Sequence, residues 1–318
     1  MTAPARLHFG MLDPAGLGPR RFGGFGVAIE WPRVVVAVRT GGRRRSAGGV
    51  VASGPQRDRA VAFVRDVRLK LGFCEPIEIE VREAIPPHAG LGSGTKLGLA
   101  VAAGIAELAG RAVKPDLLAR ASGRGARSSV GAWTFDEPGL VVEAGVGDDG
   151  GISPLLVRYP MPEQWRCVLA LPDGGEGLSG SAEERFFGKL HRSSSDEPPV
   201  ARLLLTSVLP AVLAGDIEEF GAGLSEIQRQ IGSIFSGQQG GVFHPSATPL
   251  VDHLRSLGVG AVGQSSWGPA VYGIVDGPER AAEVARALQC LAPAAEVSVV
   301  DFDRRGALCE RHELGARA

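Results

Sequence analysis

The stretch IPPHAGLGSGTKLGLAVAAGIAEL, Ile85 to Leu108, decides how the chain is read. Two prolines close whatever precedes it, four glycines fall within nine residues, and an Ala/Leu-rich run follows. Each glycine adds backbone entropy that folding must overcome, so a surface loop gains nothing from such density. Glycine does allow positive φ, and it lets a ligand oxygen approach where a Cβ would stand. The helix expected from about Thr95 to Leu108 starts with unsatisfied N–H groups and a partial positive charge. The stretch therefore predicts a cradle for phosphate or pyrophosphate formed by Gly90, Leu91, Gly92, Ser93, Gly94 and Thr95. Ser93 and Thr95 bring hydroxyls that can bond the anion or ligate a magnesium ion carried on it. Lys96 brings a full charge to the first helical turn. The plainer alternative is a glycine-rich turn with Thr95 as the N-cap. Walker A spacing is not met, because Thr95 stands between Gly94 and Lys96. A Rossmann unit is not met either, because the preceding strand ends in proline and no βαβ alternation opens the chain.

Outward from this stretch, the first half reads as short strands and helices. ARLHFGML, FGVAIEW and RVVVAVRT are apolar or alternating, and glycine and proline separate them. In PQRDRAVAFVRDVRLKLG, Ala60, Phe63, Val64, Val67 and Leu71 share one helical face and Gly72 is the stop. IEIEVREAIP alternates as a strand, KPDLLARAS is a helix, and GLVVEAG, ISPLLVRYP and WRCVLALP are strands. A polar connection follows around a short helix, AEERFFGKL. Beyond it come helices through Phe235, strand–turn–strand in GAVGQSSWGPAVYGIV, a helix, and a last strand in AEVSVVDFD. That closing order suggests an antiparallel sheet covered by helices, ferredoxin-like in type. The expected class is α+β with two domains, residues 1–172 and 173–318.

The composition narrows the function classes. At 318 residues, 44% apolar and 22% charged, the chain can bury a sizeable core. A net charge of −1 provides no general field for nucleic acid or an anionic membrane. No apolar run reaches the roughly 18–20 residues of a membrane span, and MTAPARLHFG lacks the pattern of a signal peptide. Cys74, Cys167, Cys290 and Cys309 lie far apart, as expected of reduced thiols in a cytoplasmic protein. Of 34 basic residues only Lys70, Lys96, Lys114 and Lys189 are lysine.

A second glycine turn, GQSSWGPAVYG from Gly263 to Gly273, joins two strands and offers Gln264, Ser265 and Ser266 as donors. Alone it is an ordinary hairpin. With the first loop and RLHFGMLD (Arg6 to Asp13), it resembles the three motifs of the GHMP superfamily of small-molecule kinases. RFGGFGVAIEWP (Arg21 to Pro32) and GRGARSSVGAWTF (Gly123 to Phe135) add a closer resemblance to the β-ribofuranosylaminobenzene 5′-phosphate synthase family, and the shared motifs run through nearly the whole chain. The resemblance implies a two-domain GHMP fold and a homodimer. It also implies transfer of ribose 5-phosphate from phosphoribosyl pyrophosphate (PRPP) to 4-aminobenzoate or 4-hydroxybenzoate, with loss of carbon dioxide and pyrophosphate, in methanopterin biosynthesis. A GHMP kinase acting with ATP is the alternative, and a non-catalytic ligand sensor is the third reading.

Such a reaction assigns candidates. Lys96, the loop N–H groups and magnesium would neutralise the leaving pyrophosphate. Arg21, Arg124 or Arg127 would hold the benzoate carboxylate, because a guanidinium fork matches it. Asp13 or Glu143 would stabilise positive charge on the ribose, and Arg6 and His8 of the first motif would bind substrate. Glu143-Ala144-Gly145 departs from the aspartate and two glycines the resemblance leads one to expect. Each candidate has a plainer reading: Asp13-Pro14 as a turn starter, Arg21 as a solvated loop residue, Arg124 and Arg127 as partners of nearby acids, His8 as a buried strand histidine. Arg43 to Arg45 read as a solvated hairpin tip. The acids of VSVVDFD are followed by Arg304-Arg305-Gly306, not by the hydroxyl-rich turn that would hold a PRPP ribose.

Overall fold

The repeated Val, Ile and Ala of residues 24–40 form one strand, not two. In the computed structural model, which describes residues 1–40, 49–112, 114–148, 150–190 and 200–311, β2 runs unbroken over Gly24–Thr40. Pro32 does not end it. Its antiparallel partner β1 (Thr2–Gly10) pairs Pro4 with Arg33 and then Ala5 with Ile29, so the register already skips the residue that has no N–H to give. The Arg43–Arg45 tip lies outside the described residues.

β2 is the spine of the first sheet, whose order is β3-β4-β2-β5-β6 with β1 also on β2. The other strands are β3 (Val50–Ser53), β4 (Ile77–Glu83), β5 (Leu140–Glu143) and β6 (Leu155–Tyr159). Between them come α1 (Arg57–Leu71), α2 (Ser93–Leu108), α3 (Pro115–Ala121) and α4 (Val130–Asp136). Helix α1 buries Ala60, Phe63, Val64 and Val67 and stops at Gly72, whose φ of 62° favours glycine. Helix α2 starts two residues earlier than the sequence suggests, with Gly92 as its N-cap.

The second sheet has the order β10-β7-β9-β8, and all its pairings are antiparallel. Its strands are β7 (Trp165–Leu171), β8 (Ala261–Gln264), β9 (Val271–Asp276) and β10 (Glu296–Val300). This corrects the expected boundary at 172. β7 looks like the return strand of a hairpin with β6, yet both its edges are paired inside the second sheet, so the change of unit falls between Tyr159 and Trp165. The helices of this half are α5 (Gly180–Lys189), α6 (Val200–Leu203), α7 (Leu209–Ala214), α8 (Ile217–Gln239), α9 (Thr248–Ser256) and α10 (Pro278–Leu291), with a π-helical turn at Leu204–Val208 before α7. Asp216 caps α8 by accepting from the N–H groups of Glu218 and Glu219.

The two units share a core. Phe9 of β1 lies 5.8 Å from Phe25, 6.4 Å from Phe220 and 5.1 Å from Tyr272, ring centre to ring centre. This places the β1 end and both glycine turns at one junction. Among the described residues no helix is long and apolar enough to cross a membrane.

Candidate active site

The two glycine turns touch at this junction. Ser265 Oγ donates to the Gly90 carbonyl at 2.7 Å and accepts from the His8 N–H at 3.0 Å. The Ser266 N–H donates to the His8 carbonyl at 3.1 Å, and that of Ala270 to Ala89 at 3.1 Å. The three alternating glycines serve three different neighbours. Gly90 has φ +79°, and a Cβ there would stand 2.1 Å from the Ser265 carbonyl oxygen. Gly92, also at φ +79°, would bring a Cβ within 3.1 Å of the Arg6 side chain. Gly94 lies in the first turn of α2 beneath two guanidinium groups, with Arg59 Nη2 2.5 Å and Arg124 Nη2 3.5 Å from the Cβ position.

These guanidiniums face a cleft of about 380 Å³ lined by Arg6, Arg59, Arg124 and Arg127 together with Gly90, Gly92, Ser93, Gly94 and Thr95. Arg6 donates to the Gly90 carbonyl, and burial lowers its pKa to about 10 against the opposing pull of Glu183 and Glu143. Arg59 donates to Gln56 Oε1 at 2.7 Å. Arg124 lies over the Phe63 ring at 4.8 Å, and its buried Nε has no hydrogen-bond partner among the described residues. Its pKa is lowered by burial and then by Arg59 and Arg127. Mutually repelling cations gathered at a helix N-terminus are an arrangement that could hold an anion of several charges. Arg127 is paired with Glu183 of α5 at 2.8 Å, and Glu183 also accepts from Trp267 Nε1 at 3.0 Å.

At the β1 side of the cleft, side chains form a chain. His8 Nε2 is 3.0 Å from Ser128 Oγ, which donates to Glu143 Oε1 at 2.8 Å. Glu143 is fully buried, and its other oxygen accepts from the Ser129 N–H at 2.6 Å. Burial pushes its pKa up to about 7, partly offset by hydrogen bonds from Ser128, Ser129 and Ser153. Burial, and then the charge of Arg6, lowers His8 to about 3, so its imidazole is neutral.

The structure thus gathers Arg6, His8, the loop residues, Arg124, Arg127 and Ser266 around one cleft. Leu91 contributes its backbone, the carbonyl accepting from the Arg6 N–H at 3.2 Å, while its side chain is buried in the core. Ser265 and Gln264 hold the second turn in shape; Gln264 Oε1 accepts from the His244 N–H at 2.6 Å. Asp13 and Arg21 lie outside the cleft lining. The Asp13 carboxylate accepts from the N–H groups of Leu17 and Gly18 at 3.0 and 2.8 Å, and the exposed Arg21 lies 5.4 Å over the Phe22 ring.

Lys96 requires a correction. It is fully buried, pointing between α2 and α4, where Nζ donates to Thr134 Oγ1 at 3.1 Å and lies 5.9 Å from the Phe135 ring. Burial holds its pKa well below the ordinary lysine value, and it does not line the cleft. Helix α2 has scarcely any solvated face, so a lysine in its first turn is enclosed with the rest. Lys96→Met should therefore keep kcat within about twofold, since a buried charge exchanged for an apolar chain of similar length is often tolerated. A 100-fold loss of kcat in a protein with an unchanged unfolding midpoint would restore a role at the pyrophosphate.

Sequence reasoning missed Arg59, Ser128 and Glu183. Arg59 sits on α1, 35 residues before Gly94, and nothing local connects them. Ser128 falls inside a motif already noted, but only the fold brings it between His8 and Glu143.

Comparison with known proteins agrees with this architecture. Residues 58–134 match the family described as GHMP kinases N terminal domain, and residues 208–294 match GHMP kinases C terminal. A Methanothermobacter thermautotrophicus protein named beta-ribofuranosylphenol 5′-phosphate synthase is 30% identical over 96% of this chain and 97% of its own length. Proteins of the same name from Archaeoglobus fulgidus and Methanocaldococcus jannaschii are 30% and 26% identical, each over 87% of this chain and over 87% and 89% of their own. Homoserine kinase from Cytophaga hutchinsonii superposes with a TM-score of 0.65 over 96% of this chain and 95% of its own, at 16% identity. A mevalonate kinase does so with 0.67 over 97% and 99%, at 10% identity. Identities this low carry the fold alone, whereas the full-length matches carry the family. The chain has the GHMP fold and belongs to the β-ribofuranosylphenol 5′-phosphate synthase family.

Proposed function

We propose that this chain transfers ribose 5-phosphate from PRPP to the carboxylate-bearing ring carbon of a 4-substituted benzoate, releasing carbon dioxide and pyrophosphate, as a step of methanopterin biosynthesis. The observation that carries the reading is the convergence of Arg6, Arg59, Arg124 and Arg127 on one cleft at the N-terminus of α2, with the Arg124 Nε unpartnered. PRPP presents a phosphate at one end and a pyrophosphate at the other, and this cleft can neutralise both. The phenol in the relatives' name supports a hydroxyl on the acceptor.

Arg59 and Arg124, with the first N–H groups of α2, would receive the pyrophosphate. As its bond to C1′ breaks, negative charge would grow on the leaving oxygen, and these donors would neutralise it. Arg127, held by Glu183 in the structure, would bind the acceptor's carboxylate by its fork. Ser93 and Thr95, both in the cleft lining, would offer their hydroxyls to a magnesium ion carried by the pyrophosphate. When bound, that ion would supply further neutralisation of the leaving group.

Calorimetric titration tests the donor. PRPP should bind the wild type and ATP should bind far more weakly. Arg124→Ala should weaken PRPP by about 10–100-fold, the scale of one charged hydrogen bond of roughly 1.5–3 kcal/mol. Tighter binding of ATP than of PRPP would favour the kinase reading instead.

A further inference from the structure

We propose that Ser128 takes the proton from the hydroxyl of a 4-hydroxybenzoate acceptor and passes its own to Glu143, with His8 fixing the serine's orientation. This rests on the transferase reading and names the group that activates its acceptor. Ser128 Oγ is the member of the chain that is both half-buried in the cleft wall and bonded to the buried carboxylate. It donates to Glu143 at 2.8 Å, is met by His8 Nε2 at 3.0 Å and accepts from the Val130 N–H at 3.3 Å, so a proton arriving from the cleft would take the place of this longest and weakest of its three contacts. The second carboxylate oxygen is fixed by the Ser129 N–H at 2.6 Å, so Glu143 receives the proton on a defined oxygen. A carboxylate whose pKa burial has brought to about 7 can accept a proton and return it in one turnover. Glu143, after Glu183, is a charge that pulls on Arg6, and the neutral His8 between them adds no charge of its own.

The electron count closes. The phenolic O–H bond breaks as Ser128 O–H and then Glu143 O–H form. The electron pair left on oxygen makes a C=O bond, the ring carbon bearing the carboxylate bonds to C1′, and the C1′–O bond breaks with its pair leaving on pyrophosphate. The ring-to-carboxylate bond then breaks, carbon dioxide leaves, its electron pair restores the aromatic ring, and the oxygen recovers its proton from Glu143 through Ser128. Without the relay, attack by the neutral phenol would leave a protonated dienone oxygen, a strong acid that disfavours the step. An amine in the same position carries the charge as an iminium and keeps its protons. The relay therefore separates the two acceptors.

The test is kcat/KM of wild type, Ser128→Ala and Ser128→Thr with 4-hydroxybenzoate and with 4-aminobenzoate, alongside PRPP affinity. Ser128→Ala should lose about 100-fold with the hydroxy acid, the lower range of general-base contributions, and less than about fivefold with the amino acid. Its PRPP affinity should be unchanged, and Ser128→Thr should recover most of the loss. Equal losses with both acceptors would show that Ser128 only caps the start of α4, where it also accepts from the Val130 N–H at 3.3 Å. No loss with either, or none recovered by threonine, would also overturn the relay. A wild type inactive with both acceptors would overturn the transferase reading, and the relay with it.

Discussion

Gly94→Val is expected to yield a folded protein that no longer binds PRPP. Gly94 is inside α2 with ordinary helical geometry, and glycine is among the poorest residues for such a position, so valine carries no propensity penalty. The new Cβ would meet Arg59 Nη2 at 2.5 Å, but that atom is the free end of a flexible side chain and can withdraw. Withdrawal is the point. Valine would fill the space over the helix N-terminus and push Arg59, and in part Arg124, from the position in which both face the cleft. Losing two charged contacts at roughly 1.5–3 kcal/mol each lowers PRPP affinity by at least about 100-fold. Calorimetric titration beside a thermal unfolding curve reads both halves of the expectation. Normal PRPP affinity in a folded Gly94→Val protein would remove the α2 N-terminus from the site. Gly92 is a poorer probe, because its φ of +79° would strain any side chain before a ligand is considered.

Gly90→Val should fail in the opposite way, through the fold. The Cβ would stand 2.1 Å from the Ser265 carbonyl and 3.1 to 3.2 Å from the Gly268 backbone, atoms that cannot swing aside. Relief requires the two turns to part, which breaks the Ser265–Gly90 and Ala270–Ala89 hydrogen bonds at the junction of the units. Positive φ adds strain of about 1–2 kcal/mol. We expect a loss of about 4 kcal/mol or more in denaturant unfolding, a large share of the total stability of a typical domain. An unfolding midpoint close to that of the wild type would show that the turns do not hold the units together.

The contrast between these neighbours shows how much the sequence could say. Glycine density before an apolar helix pointed to the place where the two turns and the cleft meet, because close backbone approach leaves a compositional trace. It did not reveal which glycine faces which neighbour, since Gly90, Gly92 and Gly94 look alike and differ only in what the fold places against them. The same limit explains β7. The short apolar run WRCVLAL reads as a strand, but strands 165–171 and 155–159 are joined by so short a link that only long-range pairing with β9 and β10 shows its sheet. Pro32 suggested a break in β2 because local rules disfavour proline in a strand, whereas it falls in the stretch of β2 that the β1 register skips, where a missing N–H is harmless. Lys96 was misread because a charge beside a phosphate loop is attractive in one dimension, while the apolar character of α2 on every side, also written in the sequence, enclosed it.

The central claim is that one cleft binds PRPP and carries a decarboxylating transfer from it. The most direct measurement supplies the wild-type protein with magnesium, PRPP and 4-hydroxybenzoate labelled in its carboxylate carbon, with ATP replacing PRPP in a parallel reaction. The account predicts labelled carbon dioxide and pyrophosphate in equal amounts from PRPP and neither from ATP. Transfer of the ATP γ-phosphate to an acceptor, with no carbon dioxide released from PRPP, would contradict it.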